Sequence, residues 1–248
     1  MLMPRKVLVP VRFGALDAGL RRRLIAASEA LATLPPLSTS RIRGAPDERF
    51  ASLFHRLSPF YMALNAPPRP ARRSEAEKNA LRRLCGSGGD GAATAAEFTA
   101  LLAALNQRVT AGAGTWRDGP LLGIDEKGHR IQFPDLGCVR PQLEHVRRYV
   151  RDEEGPAVFR AVAALALTVN AHPFTDGNGR TARALFNHVL RRGGMPGHVY
   201  FSFREIADRS RGSYLIALRC AELHGDWQPI MRYALDAIRC HRDLAWTA

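Results

Sequence analysis

The chain has 248 residues, 46% of them hydrophobic, with 36 Lys and Arg against 23 Asp and Glu and a formal net charge of +13. That length holds one core, or one core with a helical extension. The longest apolar stretch, AVFRAVAALALTVNA, contains an arginine and is too short to span a membrane. The positive charge is nearly all arginine, with lysine only at Lys6, Lys78 and Lys127, and it is scattered rather than gathered into a basic-aromatic patch. This argues against a nucleic-acid surface and for affinity toward anionic ligands in general.

Cys85, Cys138, Cys220 and Cys240 lie far apart, without CxxC or zinc spacing, and read as inert thiols in a reducing compartment. MLMPRKVLVPVRFG has proline and charge where a signal peptide needs an unbroken apolar run. The expected location is cytoplasmic, with delivery as a secreted effector left open.

The pattern is mainly α. LDAGLRRRLIAASEALATL places Leu16, Leu20, Leu24, Ala27 and Leu31 at helical spacing, and PPLSTSRIRGAP breaks it. A second helical run, DERFASLFHRLSPFYMALNA, carries Phe50, Leu53, Phe54, Leu57, Phe60, Tyr61 and Leu64. A short helix over SEAEKNALRRLC has Ser74 as its N-cap, GSGGDGAAT reads as a linker, and AAEFTALLAALNQRV is the next helix. Between Ala111 and Arg140 the pattern turns β-prone, with GHRIQFP as a hairpin arm. Helices return at RPQLEHVRRYVRDEEG. PAVFRAVAALALTVNAH follows, apolar nearly all round and therefore the buried central helix. TARALFNHVLRRGG and further helices complete the chain. The expected division is an N-terminal helical segment over 1–84, a Gly-rich linker over 85–93, a core over 94–242 and a tail over 243–248.

HPFTDGNGR, residues 172–180, concentrates the chemistry. A glycine-rich turn before a helix start aims backbone N–H groups and a positive dipole end at an anion. Arg180 and Arg183 are three apart and can project from one side of the first turn, as a di- or triphosphate requires. Asp176 supplies the hard oxygen that Mg²⁺ prefers when it bridges phosphates. His172 titrates near neutrality and is the candidate general base. Phe174 reads as a core anchor. Taken one at a time, a histidine before a turn, a GNG turn and a capping aspartate are each ordinary structure; their combination points to a nucleotide-phosphate site.

HPFTDGNGRTAR resembles the full signature of the Fic/DOC family, HPFx[D/E]GNGRxxR, without departure. The resemblance implies a Fic-type helical bundle with a small β-hairpin flap before the motif helix. It implies transfer of AMP from ATP to a Tyr, Thr or Ser hydroxyl of a target protein, with release of pyrophosphate. In that reading His172 is the base and Asp176 holds Mg²⁺. Gly177, Asn178 and Gly179 form the anion hole, and Arg180 and Arg183 hold the phosphates. The stretch GTWRDGPLLGI through GHRIQFPDLGCVRPQLEHV is similar to the family's flap region. It places the target-binding flap near Gly128 to Phe133, with His129, Arg130, Ile131 and Gln132 pairing with an extended target segment. Tyr214 falls where relatives carry a tyrosine near the nucleoside, and plain core packing explains it equally well.

Many relatives carry an inhibitory helix, [S/T]xxxE[G/N], whose glutamate pairs with the second motif arginine. STSRIRGAPDERF resembles such a segment through Thr39, Ile42 and Gly44, but the glutamate position holds Arg43. SEAEKN has Lys78 at that position, and EEG at 153–155 has Val150 where Ser or Thr belongs. The expectation is that the glutamate switch is absent. The alternative is that 38–50 is a plain turn between helices.

Relatives that phosphorylate proteins carry a lysine where this chain has Gly179, which favours nucleotidyl transfer; phosphocholine or another nucleotide stays open. A non-catalytic nucleotide-binding regulator is disfavoured by the intact His172. Removal of AMP ranks low if the glutamate is missing. Relatives occur as monomers and dimers, so the oligomeric state stays open.

Overall fold

Alanine and branched apolar residues fill Ala157–Ala171 (α5) on every side, and all but Val169 are buried. A helix without a polar face is stable only at the centre of a fold, and its small side chains let neighbours approach closely. Leu136–Val150 (α4) and Asn178–Arg192 (α6) pack against it, and Ala18–Glu29 (α1) and Gln228–Trp246 (α9) close the remaining sides. The computed structural model describes residues 3–53, 77–80, 93–112, 114–124, 130–151, 154–210 and 212–246. Ser74, Gly128, His129 and most of the Gly-rich segment lie outside these residues, as does the continuation of the second helical run beyond Leu53.

Among the described residues, the remaining α-helices of six or more residues are Thr39–Gly44 (α2), Ala95–Thr110 (α3), Phe203–Arg209 (α7) and Ser213–His224 (α8). Thr94 and Glu97 form a capping box at the start of α3, satisfying two otherwise orphaned N–H groups. Over Asp47–Leu53 the chain forms a 3-10 helix rather than the expected α-helix, with Phe50 and Leu53 buried. The last helix runs to Trp246 with Leu244 buried, past residue 242 where the sequence suggests a tail.

Leu8, Leu16, Leu20, Leu24, Leu31 and Phe50 share one hydrophobic core with α5, α6 and α9. The leading segment is thus built into the same core as the motif. The close packing is legible at Gly193, where an added Cβ would lie 2.1 Å from the Cβ of Ala157.

A small sheet flanks the bundle in the order β1–β3–β2, formed by Met3–Pro4 (β1), Leu122–Ile124 (β2) and Arg130–Gln132 (β3). β2 and β3 are the expected hairpin, antiparallel with Gly123 opposite Ile131. β1 is an addition that the sequence does not suggest. It pairs parallel to β3, Met3 opposite Ile131, and Pro4 is tolerated because β1 is an edge strand. Among the described residues no helix is long and apolar enough to cross a membrane.

His241 on α9 is fully buried, stacked on Phe201 at 5.1 Å, with Nε2 2.8 Å from the carbonyl oxygen of Pro35. Burial pushes its pKa down to about 4. An unfolded histidine titrates near 6.5, so the unfolded state binds more protons between the two values and stability falls as pH drops through that window. By pH 5 the expected loss is on the order of 2 kcal/mol. Thermal melts from pH 7 to pH 5 are expected to fall less steeply in His241→Gln than in the unmodified chain; parallel curves would refute this.

Candidate active site

α5 ends at His172, which adopts the left-handed conformation with φ 48° while its N–H still bonds the Thr168 carbonyl. A non-glycine residue there is strained, and such strain concentrates at functional positions. The turn directs the imidazole back over the helix end, where Nδ1 lies 2.9 Å from the Val169 carbonyl oxygen. A carbonyl only accepts, so Nδ1 carries the hydrogen and Nε2 the lone pair. Phe133, just after β3, stacks on the ring at 3.5 Å and 18°. Burial pushes the His172 pKa down to about 4; Arg5 and Arg117 act in the same direction, while the Val169 bond and Asp176 oppose them. The ring is a neutral base at pH 7.

The loop after His172 is held from several sides. The Asn178 side chain accepts from the Phe174 N–H at 2.9 Å and donates to the Phe174 carbonyl at 2.8 Å. Phe174 is buried, as its anchor role requires. Residues 115–117 pair with 173–175 through Arg117 N–H to Pro173 O and Thr175 N–H to Thr115 O. Buried Asn106 on α3 donates to the Asp176 carbonyl at 2.8 Å and to Thr181 Oγ1 at 3.1 Å. Gly177 is left-handed at φ 78°, and a Cβ there would sit 2.3 Å from Thr110 Cγ2, so only glycine fits. Among the described residues, the N–H groups of Asn178, Gly179 and Arg180 have no protein acceptor. They form the open N-terminus of α6, the arrangement that receives an anion.

The motif side chains divide differently from the sequence expectation. Asn178 works through its side chain as a loop staple, while its backbone belongs to the anion-facing turn. Arg180 is turned onto the loop, donating to Asp176 Oδ2 at 2.7 Å and to the Val109 carbonyl. Arg183 is the more enclosed of the two motif arginines, its side chain 14% exposed. Its Nε lies 3.2 and 3.1 Å from the two carboxylate oxygens of Glu77, and Nη2 donates to the same group. Tyr200 Oη donates to Glu77 Oε2 at 2.7 Å. Burial acts against the Arg183 charge, and the Glu77 carboxylate outweighs it, so the guanidinium holds its proton more tightly than usual.

Glu77 corrects the expectation drawn from Arg43. Thr39–Gly44 does form a short helix, but it packs on α7, and Arg43 pairs with Glu205 at 3.6 Å. Thr39 lines a cavity of about 400 Å³ with Lys78 and Tyr200, and Gly44 is exposed. The carboxylate on Arg183 comes instead from the helical turn 77–80. The spacing from Ser74 points to Lys78, one residue too far. A single step around a helix turns a side chain by about 100°, so pattern spacing could not settle which of the two faces the arginine.

Tyr214 packs edge-to-face on Phe203 at 5.1 Å and beside Tyr233 at 5.8 Å, and burial pushes its hydroxyl up to about 12. Arg130, Ile131 and Gln132 form β3, with Arg130 exposed and Ile131 buried; His129 lies outside the described residues. Asp176 is a largely exposed single carboxylate, and among the described residues no cluster of three or more metal-type ligands occurs. One exposed carboxylate beside an anion-facing turn suits Mg²⁺ carried in on phosphates rather than a protein cage.

Sequence reading missed Glu77, Asn106, Arg117 and Asn170. Asn106 and Asn170 could have been noticed as polar residues on otherwise apolar helix faces. Arg117, whose guanidinium donates to the Ala171 carbonyl at 3.2 Å and to that of Pro134, carried no signal in its local pattern.

Residues 92–190 match the family model described as the Fic/DOC family. The chain is 37% identical over 98 residues to the protein adenylyltransferase fic-1 of Caenorhabditis elegans, covering 38% of this chain and 18% of that protein. It is 34% identical over 122 residues to the protein adenylyltransferase Fic of Drosophila mojavensis, 47% of this chain and 22% of that protein. The chain thus spans under a quarter of the length of these relatives. Among solved structures, Fic-1 from C. elegans superposes with a TM-score of 0.54 at 19% identity, over 92% of this chain and 72% of that one. A Fic family protein from Desulfovibrio desulfuricans G20 gives 0.54 at 17% identity, over 94% and 66%. These superpositions establish a shared helical fold. Residues 92–190, which contain the whole HPFTDGNGRTAR motif, are thus similar to the Fic/DOC family.

Proposed function

We propose that the chain is a protein adenylyltransferase whose ATP site is restrained by Glu77. One observation carries this reading: a neutral imidazole with Nε2 as its basic nitrogen is joined through a short loop to a helix N-terminus with unpaired N–H groups. A target hydroxyl oxygen attacks the α-phosphorus of ATP, and His172 Nε2 takes the hydroxyl proton. The bond from the α-phosphorus to its bridging oxygen breaks, and pyrophosphate leaves. The N–H groups of Asn178, Gly179 and Arg180 stabilise the phosphate charge. Asp176 would hold Mg²⁺, which when bound neutralises phosphate charge; the side chain must first leave Arg180. Arg183 is the cation for the outer phosphates, and Glu77 competes for it. Gly179, where phosphorylating relatives have lysine, favours nucleotidyl over phosphoryl transfer.

The target segment would add as a strand to the flap. β1 already lies on the β3 edge opposite β2, so an incoming strand takes the outer edge of β2 or displaces Met3–Pro4. A second reading, removal of AMP from a modified hydroxyl, gains support from Glu77, whose carboxylate could orient water. Incubation with an AMP-modified protein separates the two.

With Mg²⁺, label from α-labelled ATP is expected on protein, none from γ-labelled ATP, and none in His172→Ala. Label from γ alone would mean phosphoryl transfer; label from neither, in Glu77→Gly as well, would overturn the reading.

Glu77→Gly is expected to raise α-label incorporation about tenfold or more, the equivalent of ~1.4 kcal/mol of lost competition for Arg183. The same variant leaves a buried charge uncompensated, which costs about 3 kcal/mol or more. Its melting temperature should fall, then recover on adding Mg-ATP by more than the unmodified chain gains. Equal gains in both proteins would refute the competition.

A further inference from the structure

The segment that precedes α1 is fastened to the end of α5 beside the base. The Arg5 N–H donates to the Gln132 carbonyl at 2.8 Å, extending the β1–β3 pairing by one bond. The Arg5 guanidinium lies over the Phe133 ring, 4.8 Å from its centroid, and the same ring stacks on His172. Arg5 Nη1 also lies 3.6 Å from Glu222 Oε1, with both side chains largely buried. Glu222 in turn accepts from Asn170 Nδ2 at 3.1 Å. Asn170 stands two residues before His172 on α5. It donates to the Lys6 carbonyl at 3.0 Å and accepts from the Leu8 N–H at 2.9 Å.

We propose that Arg5 is a positioning residue for the reaction: it clamps Phe133 onto the imidazole of His172 and ties that clamp, through Glu222 and Asn170, to the helix that ends at the base. Two independent constraints then fix the ring. The Val169 hydrogen bond sets which nitrogen carries the proton, and the Phe133 stack sets the plane in which Nε2 can point. An arginine suits this place because its planar cation can lie on an aromatic face and reach a carboxylate together. Its charge also disfavours the imidazolium form. The other charged groups acting on the ring are Arg117, in the same direction, and Asp176, in the opposite one. The inference rests on His172 being the base of the proposed transfer, although its first readout does not require activity.

The test is an NMR titration of the histidine side chains in the full chain, with His172 assigned by its disappearance in His172→Ala. In Arg5→Gln the His172 midpoint is expected to rise by about half to one pH unit. In Arg5→Lys, which keeps a cation over the ring, it should move by less than half of that. On a Glu77→Gly background, Arg5→Gln should lower kcat about tenfold while the KM for ATP changes less than about twofold, the pattern of a misplaced base rather than lost binding. Arg5→Lys should recover part of kcat. If Arg5→Gln does not fold, Phe133→Leu keeps the Arg5–Glu222 pair and should raise the midpoint and lower kcat in the same way. An unmoved midpoint, or an unchanged kcat on an active background, overturns the proposal. If no protein is labelled in any background, adenylyl transfer fails as the function, and the midpoints alone decide whether Arg5 positions His172.

Discussion

α5 has no solvent face, so the fold can only be assembled around it, and where it stops is where chemistry becomes possible. It stops in a left-handed histidine whose N–H still closes the last turn of the helix. That geometry costs conformational energy of order 1–3 kcal/mol, which the surrounding packing must outweigh. Arg117 on the Ala171 carbonyl, Asn178 on the Phe174 backbone and Asn106 on the Asp176 carbonyl are the contacts that hold it. None of them is a reacting group. They make the path from a buried helix to an open helix N-terminus rigid enough for base and anion site to keep their relation.

The second constraint is the pair of buried Glu77 and largely buried Arg183. A buried ion pair contributes little net stability, because desolvation offsets most of its attraction, but breaking one side is costly. The same arginine that a phosphate would need is therefore occupied by a group that cannot leave without a replacement. In the proposed function phosphate is that replacement, which would couple occupancy of the site to the position of the turn 77–80. Tyr200 binds the same carboxylate, so release of Glu77 would also leave a buried hydroxyl seeking a partner.

The leading residues join both themes. They share the core with α5 and α9, add a strand to the flap, and bring Arg5 to the ring that stacks on His172. Flap, base and leading segment thus form one bonded unit. In the proposed reaction, docking of a target on the hairpin and orientation of the base would be coupled through Phe133, which stacks on His172.

Much of this was written locally. The central helix followed from AVFRAVAALALTVNA, because no other environment suits a helix apolar on all sides. The turn at Gly177 and the helix start after it followed from HPFTDGNGR, because glycine at the turn and a helix beginning behind it are short-range necessities. The hairpin followed from the alternation in GHRIQFP. What the sequence could not decide was which distant side chains meet the motif. Arg43 and Lys78 both fell at plausible spacings for the partner of Arg183, yet Glu77 occupies it, because one residue around a helix changes the face and only packing chooses the face. Arg5 lies far from His172 in the chain and reaches it through a strand pairing and an aromatic ring. Contacts between distant residues depend on how the elements pack together, and that is why the motif was legible in the sequence while its partners appeared only in the folded chain.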